Sequence, residues 1–263
     1  MKHKFWLPLL SIFLICSLCG CYGDLLQLED GIPSDMTVEE ISARMSRATD
    51  PNKVYANAKS YYMKQKLTSD NVNGSDESIS EIFWLAPHHL KQVSYRNGEV
   101  INIIIANKGR FWYVDPKTKK SREVAGKDAQ LIKAFTDIAT PGQDHQKIFH
   151  TVAVDQIMDK QKNRMVYRLI CRVDNPEIAP YVFYIDPKTW LTDRCETILY
   201  GPDGSRHLYV SDSEEYEMVD GIRLAKKTLV TVDGKTDTAE TVVFTLNPEI
   251  PLKTFDLERP WNH

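Results

Sequence analysis

Long hydrophobic runs are scarce in this 263-residue chain. Only Phe5 to Cys21 is apolar enough to enter a bilayer, which excludes a polytopic membrane protein. An excess of one charge is also lacking. With 33 basic against 36 acidic side chains the formal net charge is -3, so no nucleic-acid partner is expected. Twelve glycines and thirteen prolines are too few for a collagen-like or low-complexity chain. Five cysteines, three of them within the first 21 residues, do not make a disulfide-dense miniprotein. A hydrophobic content of 42% is far too high for a disordered tail.

Motifs that carry chemistry are missing as well. There is no Gly-x-Ser-x-Gly elbow, no phosphate-binding glycine loop and no His-Glu-x-x-His, and beyond the first 21 residues no Cys-x-x-Cys. His88 and His89 are neighbours on an expected strand, so they point to opposite faces and cannot share a metal ion. No cofactor, no metal and no enzymatic activity are expected on these grounds.

What is present begins at the N-terminus. Lys2, His3 and Lys4 precede an apolar run from Phe5 to Leu18, too short to span a bilayer but suited to a secretory signal. Leu18-Cys19-Gly20-Cys21 resembles the bacterial lipobox, in which the last cysteine takes a diacylglycerol on sulfur and the chain is cut before it. That resemblance implies residues 1–20 as a lipoprotein signal peptide, Cys21 as the lipidated residue with thioether-linked lipid and palmitate, and 21–33 as a tether. An ordinary cleaved signal without lipid is the alternative. Tyr22 stands where lipoproteins kept in the inner membrane resemble one another in having Asp. By that likeness the protein would be anchored in the outer membrane, facing the periplasm.

The remainder, 34–263, reads as one domain that is mainly β with helices. Thr37 and Glu40 make a capping box ahead of Val38, Ile41, Met45 and Ala48 at helical spacing. A second helix is expected over Asp128 to Ile138, stopped by Pro141-Gly142. Strands are expected over Ala58–Ser69, Ser78–Ala86, His89–Arg96, Val100–Ala106, Arg110–Val114, Lys147–Gln156 and Met165–Val173. They continue through Tyr181–Ile185, Thr192–Tyr200, Arg206–Glu217, Ile222–Thr231 and Ala239–Leu246. Asn97-Gly98, Lys108-Gly109, Asp203-Gly204, Asp220-Gly221 and Asp233-Gly234 mark hairpin turns, so neighbours should pair antiparallel. So many strands should curl rather than lie flat, into a barrel or half-barrel, and the two amphipathic helices favour a curled sheet that they cover. Periodicity leaves open whether the space between is packed or hollow. Tyr113-Val-Asp-Pro-Lys-Thr118 recurs as Tyr184-Ile-Asp-Pro-Lys-Thr189, which reads as repeated turn chemistry rather than a solenoid.

Cys171 and Cys195 fall on strands separated by Tyr181–Ile185. Next-but-one strands lie about 9.5 Å apart, beyond the reach of a disulfide, so two separate thiols are expected, with a bridge as the alternative if the sheet curls sharply or the strand order is not sequential.

The segment Ile82-Phe-Trp-Leu-Ala-Pro-His-His-Leu-Lys91 resembles the "apolar-Trp-x-x-Pro-x-x-apolar" strand of the lipoprotein-localisation family, LolA and LolB. Ile103 to Gly109 followed by Phe111-Trp-Tyr-Val-Asp-Pro116 resembles that family's hairpin. Later marks are Ile185 to Thr189, Val219-Asp-Gly-Ile222 and Leu246-Asn-Pro248 with Phe255. The resemblance covers roughly residues 35–257. It implies a curled antiparallel sheet forming an incomplete β-barrel, closed by helices over an apolar cavity for the acyl chains of lipoproteins or lipids. The partners it implies are those acyl chains, the membrane through the anchor, and in the alternative a protein of the cell envelope. That alternative is an interaction or stress-sensing module on the same scaffold; a hydrolase is less favoured. Alternation nominates Phe83, Leu85, Ile103, Ile105, Phe111 and Tyr167 as the cavity lining, with ordinary core packing as the competing reading for each.

Overall fold

The computed structural model describes residues 25–71, 74–160, 162–201, 204–258 and 260. The signal peptide and Cys21 lie outside the described residues. Among those described, the chain is mainly β, with fourteen strands, three α-helices and one 3-10 turn. It divides into two compact units, one formed by residues 54–142 and 237–260, the other by residues 25–53 and 143–236.

In the first unit the strands are β2 (Ser60–Asn71), β3 (Gly74–Leu85), β4 (His89–Arg96), β5 (Glu99–Asn107), β6 (Arg110–Val114), β7 (Ser121–Val124) and β14 (Lys235–Leu246). Their order is β14-β2-β3-β4-β5-β6-β7, an open meander with antiparallel pairing throughout. Asn97-Gly98 and Lys108-Gly109 turn the chain with both residues at positive φ, as two-residue hairpins require. Helix α2 (Gly126–Ile138) crosses one face, and the 3-10 turn (Leu252–Phe255) covers the other.

The second unit holds β1 (Ile32–Pro33), β8 (Thr151–Asp159), β9 (Arg164–Arg172), β10 (Tyr181–Ile185), β11 (Thr192–Tyr200), β12 (Arg206–Val219) and β13 (Ile222–Val232). Their order is β1-β8-β9-β10-β11-β12-β13, again antiparallel and open. Helix α1 (Val38–Thr49) begins at Thr37, whose side chain accepts from the Glu40 amide while Glu40 accepts from the Thr37 amide. The capping box thus forms as the sequence requires.

Two short strands, β1 and β7, and the 3-10 turn escaped sequence reasoning. The expected strand Lys147–Gln156 begins instead as a one-turn helix, α3 (His145–Ile148), because Asp144 caps the Lys147 amide and delays the strand to Thr151. The two echoed hexapeptides build the same turn. Asp115 and Asp186 each accept from the backbone amide two residues on, and Lys119 and Trp190 each take positive φ. Cys171 pairs with Tyr181 and Cys195 with Phe183, so β10 stands between the two thiols, and both are free.

Candidate functional site

Strand parity sorts the first unit into two unlike faces. On the α2 side, Tyr61, Ile82, Trp84, Leu90, Ile104, Ala106, Phe111, Tyr113 and Val124 form one buried apolar floor under Ile132. Tyr61 stacks between Trp84 and Phe244, with ring centroids at 5.6 and 5.8 Å. A continuous aromatic and branched surface of this kind is favourable only when kept from water, at about 25 cal/mol per Å2. Helix α2 supplies that cover.

The helix lies close on its floor. Ile82, Leu90, Gln92, Ile104, Ile132, Phe135, Thr136 and Ala139 enclose a gap of about 10 Å3. That gap has room for at most one water. The two ends of α2 are held differently. At the C-terminal end, the Tyr55 and Tyr61 hydroxyls both donate to the Ala139 carbonyl, at 2.6 and 3.0 Å. At the N-terminal end Ala125 offers no side-chain cap, and Gly126 sits at φ +62° with no atom within 4 Å of where a Cβ would stand. Gly142, beyond the helix, also has positive φ, and a Cβ there would meet the Ala56 carbonyl at 3.1 Å.

Beside the apolar floor the same face turns polar. Ser80, Gln92, Ser94 and Asn102 are buried there, and Gln92 donates to Ser80 at 3.1 Å. Among the described residues, Ser94 Oγ is a buried polar atom without a hydrogen-bond partner. The floor therefore has an amphiphilic character, apolar under α2 and hydrogen-bonding next to it.

The opposite face carries a different cluster. Phe83, Leu85, Ile103 and Ile105 gather with Val93 and Val114 beneath Phe255. Lys91 is wholly buried on this face, between Phe83 and Ile105 on the adjoining strands, and burial lowers its ammonium to about 8 although the Glu81 carboxylate opposes the shift. Glu81 accepts from Tyr62 at 2.9 Å and from Tyr95 at 3.0 Å, with Lys64 at 3.6 Å. Desolvation raises both tyrosines well above the ordinary phenol range, with the carboxylate adding to the effect. An open groove of about 460 Å3 runs past Lys64, Glu77, Ile79, Glu81 and Tyr95.

The six residues nominated from alternation are thus distributed. Phe83, Leu85, Ile103 and Ile105 come together, on the face away from α2. Phe111 lies on the α2 floor. Tyr167 belongs to the second unit, where its hydroxyl donates to Asp35 at 2.9 Å and its ring stacks on Trp190, itself under the Arg44 guanidinium. The six leave out Tyr61 and Trp84, aromatics that the sequence also offered for a cavity, and Ile82 and Ile104, all of which form the floor. The run Val100 to Ala106 is apolar at both parities, so alternation alone could not say which set faces the helix. The available signal was α2 itself, whose apolar stripe needs the more aromatic face.

In the second unit a polar band crosses five strands. Asp155 binds Arg168, Tyr184 donates to Glu196 at 2.9 Å, and Arg194 donates to Asp212 at 2.7 Å. Arg168 is nearly inaccessible, with its guanidinium held by both Asp155 oxygens and the Glu29 carbonyl. Desolvation pushes the Cys171 and Cys195 thiols up, Cys195 to about 12, so neither is a ready nucleophile. Among the described residues no group of three His, Cys, Asp or Glu side chains could hold a metal ion.

The fold has solved counterparts. A domain from Vibrio parahaemolyticus described among the outer membrane lipoprotein-sorting proteins superposes with a TM-score of 0.55 at 12% identity, covering 85% of this chain and 100% of that one. A LolA superfamily protein from Nitrosomonas europaea gives 0.57 at 11% identity, with 84% and 98% covered. A DUF1329 family protein from Desulfovibrio piger gives 0.52 at 10% identity, with 83% and 95% covered. No family model matches the sequence, and no curated protein does. At these identities the likeness establishes a LolA-like fold and does not by itself assign an activity.

Proposed function

We propose that this LolA-like fold serves a lipid-anchored, periplasm-facing protein of the bacterial envelope that shelters an acyl chain of a lipoprotein or lipid beneath α2. The observation that carries the reading is the amphiphilic floor of the first unit. Its apolar part matches a hydrocarbon chain, and Ser80, Gln92 and Ser94 beside it match an ester or head group. A chain could enter only if α2 lifts, because the present gap is about 10 Å3. The unequal anchoring of the helix gives that movement a direction: the uncapped Gly126 end rises while the Tyr55 and Tyr61 hydrogen bonds hold the Ala139 end. The acyl chain then replaces Ile132 and Phe135 as the cover of the floor, so little apolar surface is exposed in the exchange. Binding of this kind needs no bond to be made or broken.

The membrane address rests on Cys21 and the outer membrane on Tyr22, as the lipobox resemblance implies. Incubating the full chain with a photoreactive palmitate analogue and mapping the adduct tests the binding mode. Adducts on the peptides carrying Ile82, Trp84, Ile104 or Ile132 are expected. A folded protein that takes up no analogue, or takes it up only elsewhere, overturns the reading. Detergent partitioning of a Cys21→Ser variant tests the anchor separately, with loss from the membrane fraction expected.

A further inference from the structure

In the second unit, two hairpin ends bring together a serine, a histidine and an aspartate that nothing above employs. Ser205 Oγ lies 2.8 Å from His207 Nε2, and His207 Nδ1 lies 2.5 Å from Asp233 Oδ2. Ser205 closes the turn just ahead of β12 and His207 is the second residue of that strand, and their side chains meet at that end. Gly201 and Gly204 close that hairpin, with the Gly201 amide donating to the Ser205 carbonyl at 2.8 Å. Asp233 comes from the turn after β13, with its own φ at +47° and Gly234 at +78°. Its placement is fixed twice over, because Oδ1 accepts from the Leu208 amide at 3.1 Å and its amide donates to the Leu208 carbonyl at 3.2 Å.

From this geometry we propose that Ser205, His207 and Asp233 form a hydrolytic site for carboxylic esters. The carboxylate sets the tautomer. With Nδ1–H donated to Asp233, neutral His207 has a bare Nε2, and the Ser205 hydroxyl must be the donor across 2.8 Å. That is the arrangement in which an imidazole takes the serine proton as Oγ attacks.

The step balances without any further reagent. Ser205 Oγ bonds to the ester carbonyl carbon while its proton passes to Nε2. The carbon–oxygen bond to the leaving group then breaks, and the alkoxide takes that proton from Nε2. Water then gives a proton to Nε2 as its oxygen bonds to the acyl carbon; the Oγ–acyl bond breaks, Oγ takes that proton back from Nε2, and the carboxylic acid leaves. Esters fit better than amides, since an alkoxide leaves more readily than an amine. Ser205 is only part-buried and Gly204 and Arg206 beside it are exposed, so the site admits esters from solvent. His207, by contrast, is 8% exposed, which shields the base from water. Ser205 and Asp233 come from two turns and His207 from the strand between them, and they follow no linear motif, which is why a motif search passes over them.

The test is covalent labelling of the full chain with a fluorophosphonate probe, with the modified residue mapped by mass spectrometry. Hydrolysis of p-nitrophenyl acetate and butyrate is followed in parallel. Labelling at Ser205 is expected, absent in Ser205→Ala and in His207→Gln. Asp233→Asn should slow hydrolysis by about 100- to 10,000-fold, as losing the tautomer-setting carboxylate does in such arrays. Natively folded wild-type protein that takes no label on Ser205 overturns the proposal and leaves the three residues as a clamp between hairpin ends. Hydrolysis equally fast in Ser205→Ala overturns it as well. Uptake of a palmitate analogue by Ser205→Ala should be unchanged, which separates this site from the floor under α2.

Discussion

The Tyr61 hydroxyl donates to the Ala139 carbonyl across 3.0 Å, tying the second strand to the last turn of α2, and Tyr55 donates to the same oxygen at 2.6 Å. A helix end leaves its final carbonyls without intrahelical partners, so these two phenols satisfy a group that would otherwise be unpaired. Replacing both by phenylalanine keeps the rings and removes only the bonds. Each is worth about 0.5–1.5 kcal/mol net, so losing both should make α2 opening roughly 5- to 150-fold more frequent. Hydrogen exchange of the α2 amides measures this. Exchange as slow as in the parent chain would mean that the phenols do not hold the helix.

Lys91 yields a pH-dependent outcome. Its folded-state pKa of about 8 lies below the ordinary 10.5, so the unfolded chain holds the proton more tightly. Between about pH 8 and 10.5 stability contributed at this site therefore rises with pH, and below 8 the full penalty, roughly 3 kcal/mol, applies. Lys91→Met should raise the urea midpoint at pH 7, and its advantage should shrink as pH approaches 10. The comparison is made between the two proteins at each pH, because buried tyrosines and thiols oppose the trend in both. An advantage that does not change with pH would show that the ammonium is not the cause.

His145 acts in the acid range. Its ring meets Phe183 at 4.9 Å, and desolvation lowers its pKa from 6.5 to about 4, with Asp144 working the other way. The unfolded chain again binds the proton more tightly, so stability falls as pH drops from about 6.5 to 4. His145→Phe should flatten thermal stability over that interval. Parallel pH profiles for the two proteins would count against the buried imidazole.

Asp155 is expected to matter through what it leaves behind. Its carboxylate neutralises the buried Arg168 guanidinium, which also donates to the Glu29 carbonyl. Asp155→Ala should cost about 3–5 kcal/mol, since it strands a buried charge. The double variant with Arg168→Met should recover much of that loss. Chemical denaturation of both gives the answer, and a single variant as stable as the parent would show that the pair carries no net weight.

The sequence alone determined the local elements. Thr37 and Glu40 announced α1, the Asn-Gly and Lys-Gly pairs placed the hairpins, and β4, β6, β10 and β11 begin and end where alternation set them. These are short-range matters of cap geometry, positive φ and period-two patterning, and they need no knowledge of distant residues. The separation of Cys171 from Cys195 followed equally from strand order. Which face of each strand lies under a helix did not. Where Phe83 and Trp84, or Ile103 and Ile104, are both apolar, parity gives two equivalent answers, and only the docking of α2 chose Trp84 and Ile104. The same limit hid Lys91, a surface-type residue that the fold buries completely between Phe83 and Ile105, and Ser205 with Asp233, which His207 links only because two separate hairpins end side by side. Backbone preferences act within a few residues; burial and charge pairing are settled by groups that sequence distance keeps apart.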